Sequence, residues 1–570
     1  MGLKTCLQIG DNDIVGHRFN GYDLGTYLRQ RDISCDYFVW QKHSDSDMVF
    51  EIASRCNSRN DAKDLAIREN TDYSSVGLFY PFSYDILFEK KFQEADVLHF
   101  HLIHNNFFNL SDLPIISRLK PVVWTLHDPW ALTGHCIYPI NCKRWRIGCG
   151  DCPDLNRNFS VRQDATALNW EYKKLIYQNC DLDIVVASKW MYERVSESPF
   201  FPKERVHLVP FGLDFSKFKP MDNFAAKREL GIPDESKVIC FRSVKSVFKG
   251  LDYIRNCLRD LNTTQKVTLL TFNETGLLDE FKEKFQVIDL GWVSNDEKMI
   301  NAYNATDIFL MPSTAEAFGM MAMEAMSCGK TVIAMDGTSL EEVIMPSKGG
   351  GIIVPQGDVN AMRMELEELL LNDRKRRKIG DTAFQLSRKY YDKDRYVSQL
   401  IDVYTQAIER KKNDARGQYI ISQLEKLGSI KYSKTVNAMA IILNNWQELC
   451  IKHGQPVLYG AGKFTANFLN ILRKEMLPMP NVIWDDCPKI SELYGAPVIK
   501  TPDVFPPDVD VIVIGSDTYQ KKMTARLKLI PGVAPVIIDL LRESCLKRKK
   551  PSDAGQSSDG LTERSQNSSN

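Results

Sequence analysis

Two carboxylates, Glu316 and Glu324, stand eight residues apart in the segment 311–330, and the residues around them set out a chemistry. The apolar run 307–312 reads as a strand, Glu316 as part of a short loop, and the stretch from Phe318 and Gly319 to Gly329 as a helix. A helix start presents unpaired N–H groups and the positive end of its dipole, and a glycine there lets an anion come close to the backbone. Phosphate therefore suits the helix start at Gly319. Glu316 then faces whatever is attached beyond the phosphates. Glu324, about one and a half turns along the helix, reaches the other side. The pattern is that of a nucleotide-sugar site, set against a surface helix that carries two glutamates by chance.

Two other groups could do chemistry. Cys136, Cys142, Cys149 and Cys152 fall within 17 residues, just after His135. Their C-x2-C end has the spacing of a tetrahedral structural zinc site, and the wider first pair leaves unbound thiols or a redox pair as alternatives. Far downstream, Gly460-Ala-Gly462 follows an apolar run, and Asp485 and Asp486 close a strand about 25 residues later. Such a turn can approach a pyrophosphate while the acid accepts from a ribose, although the third glycine of the dinucleotide fingerprint is missing. A docking unit that uses only the fold is preferred there, with a bound nucleotide or NAD as the alternative.

These residues need elements to hold them. From Leu3 onward, short apolar strands alternate with helical segments, which implies parallel sheets covered by helices and an α/β class. A first strand leads into the loop 11–16, then His17 and Arg18. Strands at 96–101 and 119–127 follow, the latter ending in His127. A second series lies at 238–242, 266–272, 287–293, 307–311, 331–335 and 351–354, and a helical stretch runs from 374 to 411. A helical connector precedes a third, small α/β pattern with further strands at 509–514 and 535–540. After Glu543 the chain turns polar, and this tail is expected to be disordered.

The 570 residues, 44% of them hydrophobic, suffice for three or four packed domains. Lys and Arg equal Asp and Glu at 73 each, so the net charge is zero, which argues against a general nucleic-acid partner. No apolar run nears the roughly 20 residues that span a bilayer, and the N-terminus reads as a strand rather than a signal peptide. Met1-Gly2 lacks the Ser or Thr that myristoylation wants at position 6, where Cys6 stands. The expectation is a cytoplasmic protein, open to peripheral contact with the inner face of a membrane or with a biosynthetic complex.

The E-x7-E segment resembles that of the retaining glycosyltransferases of family 4, which have the GT-B fold of two Rossmann-like domains facing a cleft. The Trp124-Thr-Leu-His-Asp128 run followed by a cysteine loop is similar to that of some bacterial polysaccharide glycosyltransferases. The resemblance covers about residues 3–411. It implies that Glu316 contacts a hydroxyl of the donor sugar, that Phe318, Gly319, Met320 and Met321 hold the diphosphate, and that Glu324 holds the ribose. It implies further that Arg242 and Lys249, the latter before Gly250, neutralise the leaving diphosphate, that His127 faces the donor sugar, and that Gly16 lines the donor or acceptor side. The chain departs from the family at Val15, where a glycine is usual, at Phe211, where an asparagine is usual, and at Phe241, also usually glycine.

The domain boundaries so implied are 1–208 for an N-terminal acceptor-side domain, 209–390 for a donor-binding domain, and 391–411 for a crossover helix. A helical connector at 412–450, a Rossmann-like accessory domain at 451–543 and a tail at 544–570 follow. The implied reaction is retaining transfer from a nucleotide-diphosphate sugar to a glycan or lipid-linked acceptor in surface polysaccharide biosynthesis, with no cofactor required for transfer. A nucleotide-sugar epimerase and a noncatalytic scaffold of the same fold are the rival readings.

Overall fold

The computed structural model describes residues 2–52, 74, 84–87, 89–413 (except 105, 106, 158 and 346) and 446, and then 457–461, 463–474, 479–486, 488–493, 496–503, 511–514 and 536–538. Gly462, almost all of the connector at 412–450 and the tail at 544–570 lie outside the described residues. The chain divides into two compact units, residues 1–426 and 427–570.

Among the described residues the first unit holds two sheets. The first orders its strands β3-β2-β1-β4-β5-β6-β7, from β1 (Thr5–Asn12), β2 (Ser34–Gln41), β3 (Val49–Glu51), β4 (Val97–Phe100), β5 (Val122–Thr125), β6 (Leu182–Val186) and β7 (Val206–Leu208). The second runs β10-β9-β8-β11-β12-β13, from β8 (Lys237–Ser243), β9 (Val267–Asn273), β10 (Gln286–Asp289), β11 (Ile308–Met311), β12 (Thr331–Met335) and β13 (Ile352–Val354). Every pairing in both is parallel. The central strands β4, β5, β6, β11 and β12 are buried along their whole length, which is why they read as unbroken apolar runs rather than alternating ones. Each sheet reverses its strand order once, between β1 and β4 and between β8 and β11. In doubly wound folds ligands bind beyond the carboxyl ends of the strands at such a point. The architecture is GT-B.

One continuous apolar core joins the two halves. It includes Val123 and Val185 under the first sheet, Phe211 and Leu213 at the crossing, Phe318 and Met323 beside the second, and Tyr391, Val397, Leu400 and Tyr404 on the return. The helical stretch expected over 374–411 is two helices, Asp373–Tyr390 and Lys393–Asn413. They break where Leu213 pairs with Asp392 and the Leu213 amide donates to the Tyr391 carbonyl at 2.8 Å. The second of these helices packs on β4 and β5. The strand expected at 287–293 ends at Asp289, and beyond it the Gly291 carbonyl accepts from the amide of Asn273, the last residue of β9, at 2.8 Å.

The second unit carries its own sheet, in the order β16-β17-β15-β14-β18-β19. These are β14 (Val457–Tyr459), β15 (Ile483–Asp485), β16 (Glu492–Leu493), β17 (Ala496–Lys500), β18 (Val511–Ile514) and β19 (Val536–Ile538). Only the β16–β17 pair is antiparallel among the described strands, and neither of these strands was evident from sequence pattern.

Candidate functional site

The loop after β11 and the helix Met320–Ser327 carry the central turn. Gly319 heads that helix at φ 100°, and no side chain caps it. A β-carbon there would press on the Leu340 side chain as well as strain the backbone. Gly250, at φ 73°, is required for a second reason: a β-carbon would collide with the Pro312 carbonyl, where the turn after β8 crosses the Glu316 loop. This crossing brings Lys249 to Glu316, Nζ to Oε2, at 2.7 Å.

A cavity of about 200 Å³ opens at these turns, lined among others by His127, Arg242, Lys249, Glu316 and the run from Phe318 to Met321. The structure thus gathers the expected catalytic set and four of the expected phosphate-side residues around one space. Arg242 donates to Asn273 Oδ1 at 3.2 Å. Burial lowers its pKa, Glu316 and Glu274 oppose that, and a guanidinium stays charged in any case. Two cations and an uncapped helix start therefore face the same cavity.

Glu324 lies beside this cavity rather than on its wall. It is 3% exposed, accepts from the Tyr303 hydroxyl at 2.7 Å and meets Arg18 at 3.3 Å. Arg18 also bonds Asp296 at 2.5 Å, and His17 joins Asp296 at 3.2 Å and Asp23 at 2.9 Å. Burial works against a charged His17, but the two carboxylates prevail and raise its pKa to about 9. Asn295 caps the helix Asp296–Ala305 through the Glu297 amide at 2.7 Å, which fixes Asp296 in its first turn. The loop after β1 is therefore clipped to the second half of the unit by charge. Gly16 belongs to this loop, beneath the Phe19 ring and off the cavity wall.

His127, at the end of β5, is held between rings. Phe211 stacks on it at 5.7 Å with 7° between planes, and Phe19 lies at 5.3 Å. Phe211 stands where the family has asparagine, and the stack shows what it does here. His127 Nε2 meets His101 Nδ1 at 3.2 Å, and His101 Nε2 meets Gln8 Oε1 at 2.5 Å. One atom of each contact donates and the other accepts, so the chain from Gln8 through His101 to His127 sets the tautomers of both rings together. Burial holds His127 at about 3, and His99 likewise, so both are neutral imidazoles. His127 acts as a positioned hydrogen-bonding group and not as a cation.

The cysteine segment lies between β5 and the helix Thr166–Gln178. Its thiols are free and partly exposed, and burial pushes Cys136 up to about 11 and Cys149 up to about 12. Residues 148–151 all have positive φ, a tight left-handed turn at the C-x2-C. His135 Nε2 lies 3.3 Å from Cys152 Sγ. Among the described residues, no group of three or more His, Cys, Asp or Glu is arranged to hold a metal ion. Between Cys136 and Cys142 stands Tyr138, which leaves the segment and packs on Phe248 at 5.4 Å, one residue before Lys249.

In the second unit, Asp485 Oδ2 accepts from the Ala461 amide at 2.8 Å, and Asp486 Oδ2 from the Tyr459 hydroxyl at 2.7 Å. The acids expected to meet a ribose are bonded into the turn after β14. Gly460 is at this turn, with its amide on the Trp484 carbonyl at 2.7 Å.

Sequence reasoning missed Asp296, Tyr303 and Tyr138 as site neighbours, and gave Arg18 and His101 no role. Tyr303 is 21 residues from Glu324, and Arg18 lies 306 residues away from it, so no local spacing links them.

The profile described as "Glycosyltransferase Family 4" matches residues 22–217, and that described as "Glycosyl transferases group 1" matches residues 222–386. The chain is similar to the putative colanic acid biosynthesis glycosyl transferase WcaC of Escherichia coli, with 24% identity over 319 residues, 54% of this chain and 76% of that one. It is similar also to a D-inositol 3-phosphate glycosyltransferase of Saccharomonospora viridis, with 22% identity over 422 residues, 70% of this chain and 91% of the relative. Among solved structures, sucrose-phosphate synthase from Thermosynechococcus elongatus aligns with 71% of this chain and 100% of its own at TM-score 0.49 and 16% identity. No helix among the described residues is long and apolar enough to cross a membrane.

Proposed function

Because the chain belongs to glycosyltransferase family 4 and is an enzyme that transfers glycosyl groups, we propose that it moves a sugar from a nucleotide-diphosphate sugar to a hydroxyl of a glycan or lipid-linked acceptor, with retention at the anomeric carbon. The observation that carries this reading is the convergence of Arg242, Lys249, Glu316 and the uncapped helix start at Gly319 on one cavity. As the C1–O bond to the diphosphate breaks, negative charge grows on the leaving oxygen and positive charge on the sugar ring. Arg242, Lys249 and the amides at Gly319 to Met321 meet the first by preorganised electrostatics. Lys249 is already oriented by Glu316, so donor binding needs no search by a free lysine side chain. The acceptor oxygen attacks C1 on the face the diphosphate leaves, and the departing phosphate oxygen takes its proton. His127 contributes a fixed, neutral hydrogen bond at the sugar. The colanic acid name of the bacterial relative supports a place in surface polysaccharide biosynthesis.

The test is a mass-spectrometric screen of nucleotide sugars for hydrolysis by the purified protein, followed by proton NMR of the transfer product. Turnover of one donor with the anomeric configuration kept supports the proposal. An inverted product removes the retaining mechanism, and free epimerised nucleotide sugar without label transfer would replace transfer by epimerisation.

A further inference from the structure

Three polar side chains form a row across the carboxyl end of the first sheet. Gln8 stands on β1, His101 directly follows β4, and His127 follows β5 by two residues. Gln8 Oε1 meets His101 Nε2 at 2.5 Å, and His101 Nδ1 meets His127 Nε2 at 3.2 Å. Gln8 and His101 are fully buried, whereas the His127 ring lines the cavity that Lys249 and Glu316 also line. A neutral imidazole has one donor and one acceptor nitrogen. Fixing the role of His127 Nε2 therefore fixes that of Nδ1, which has no hydrogen-bond partner among the described residues.

The surroundings leave this row little freedom. The His101 amide donates to the Ile9 carbonyl at 2.9 Å, and the His101 carbonyl accepts from the Trp124 indole at 3.0 Å. Against the His101 ring, at 4.2 Å between centroids, lies His99, itself bonded to the Tyr404 hydroxyl at 2.6 Å and the Thr125 hydroxyl at 2.7 Å. Gly21, at φ 108°, comes so close that a β-carbon would stand 2.6 Å from His101 Nε2 and 2.8 Å from Gln8 Oε1. Gln8 Nε2, by contrast, is buried with no partner among the described residues. A buried amide with half its bonding unmet destabilises a sheet interior that an apolar side chain of similar size would fill. Packing alone gives no reason for glutamine at this position, and the bond to His101 does.

We propose that Gln8 and His101 are positioning residues for glycosyl transfer, which hold the His127 ring at one angle and in one tautomer at the donor sugar. This rests on the reading of His127 as a group at the sugar. A ring anchored through Nε2 keeps both its edge and its proton in a single arrangement, as oriented catalysis requires. Loss of the anchor lowers turnover and spares nucleoside diphosphate binding, because Lys249, Arg242 and the helix start at Gly319 do not depend on the row.

The experiment is a double-mutant cycle. It compares wild type, Gln8→Met, His127→Phe and the double variant in hydrolysis of whichever nucleotide sugar the wild type accepts from a panel, with UDP and GDP binding by calorimetry and thermal melts alongside. For Gln8→Met the expected result is kcat down about fivefold to tenfold, KM within about threefold, diphosphate affinity unchanged and melting temperature within a few degrees. In the His127→Phe background the same substitution should change kcat by less than about twofold, since the residue it acts through is gone. His101→Phe, which keeps a ring and removes both bonds, is a second probe and should show the same dependence on His127. Wild-type kcat in Gln8→Met and His101→Phe overturns the proposal. So does an equal loss with and without His127, which would mark a structural role. A wild type that hydrolyses no nucleotide sugar overturns the donor reading instead, and this proposal with it.

Discussion

At Gly319 and at Gly460 a parallel strand leads into a glycine of positive φ, 100° and 102°, with a helix close behind and an acid close by. The fates of the two acids differ. Glu316 is turned away from its own turn and tied across the cavity to Lys249, and the helix start at Gly319 keeps its amides uncapped. Asp485 is turned onto its turn and takes the Ala461 amide, while Gly460 uses its carbonyl for the Thr465 hydroxyl. An amide bonded to a carboxylate at home is not available to a phosphate, and a second anion beside that carboxylate is repelled. The first turn thus leaves its helix-start amides open, and the second holds one of its amides on its own acid.

The sharpest way to break this comparison is to neutralise each acid. Glu316→Gln is expected to cut transfer about a hundredfold or more while leaving the melting temperature nearly unchanged, and Asp485→Asn is expected to leave transfer within about twofold. Comparable loss of turnover in both variants would show that the second turn also serves the reaction. Next in size is Lys249→Ala. Calorimetry should show UDP or GDP binding about tenfold to a hundredfold weaker and nucleoside binding unchanged, since this substitution removes a charge-assisted bond to phosphate. Equal weakening for both ligands would place Lys249 in folding and not in recognition.

A smaller effect is expected from removing the second turn altogether. A chain ending at Lys426, the limit of the first compact unit, should keep donor hydrolysis within a fewfold of the full chain. Loss of donor binding in a folded truncate would mean that the second unit completes the site. The smallest effect concerns pH. His17 has a folded pKa of about 9, raised from 6.5, so its pairing with Asp23 and Asp296 stabilises fully below about 6.5 and is lost as pH rises through about 9. Thermal melts between pH 7.5 and 10 should fall more steeply for wild type than for His17→Gln. Parallel slopes would remove the clip on the loop after β1. Elemental analysis addresses the cysteines separately. A zinc there would have to draw the four sulphurs together, so about one zinc per chain that Cys149→Ser releases is its signature, and fully active metal-free protein assigns them to packing.

What could be read in advance was what neighbours in sequence decide. The alternation of apolar strands and helices, the loop bearing Glu316, the helix start at Gly319 and the Lys249-Gly250 turn each depend on a few adjacent residues. The partners of Glu324 do not: Tyr303 and Arg18 arrive from different halves of the unit, and only closure brings them to one carboxylate. His101 read as a strand residue, and its bond to His127 follows from the pairing of adjacent parallel strands, which sets the two rings 5.4 Å apart. Phe211 was visible as a departure from the family pattern, but that it stacks on His127 is a matter of tertiary packing. The break between Tyr390 and Lys393 was invisible for the same reason, because its cause is a pairing with Leu213, about 180 residues earlier in the chain.

That pairing has a mechanical side. The chain passes between the halves of the first unit at residues 209–214 and again at 390–393, and the two passages are stitched together by Leu213 with Tyr391 and Lys393, by Asp214 with Lys393 Nζ at 2.8 Å, and by Pro210 with Arg395 at 2.8 Å. Two strands joined in this way bend easily across their common plane and resist twisting about their length, since a twist would shear the bonds between them. The wall that carries His127 and the wall that carries Lys249 and Glu316 are therefore tied through this double passage as well as through the apolar core they share.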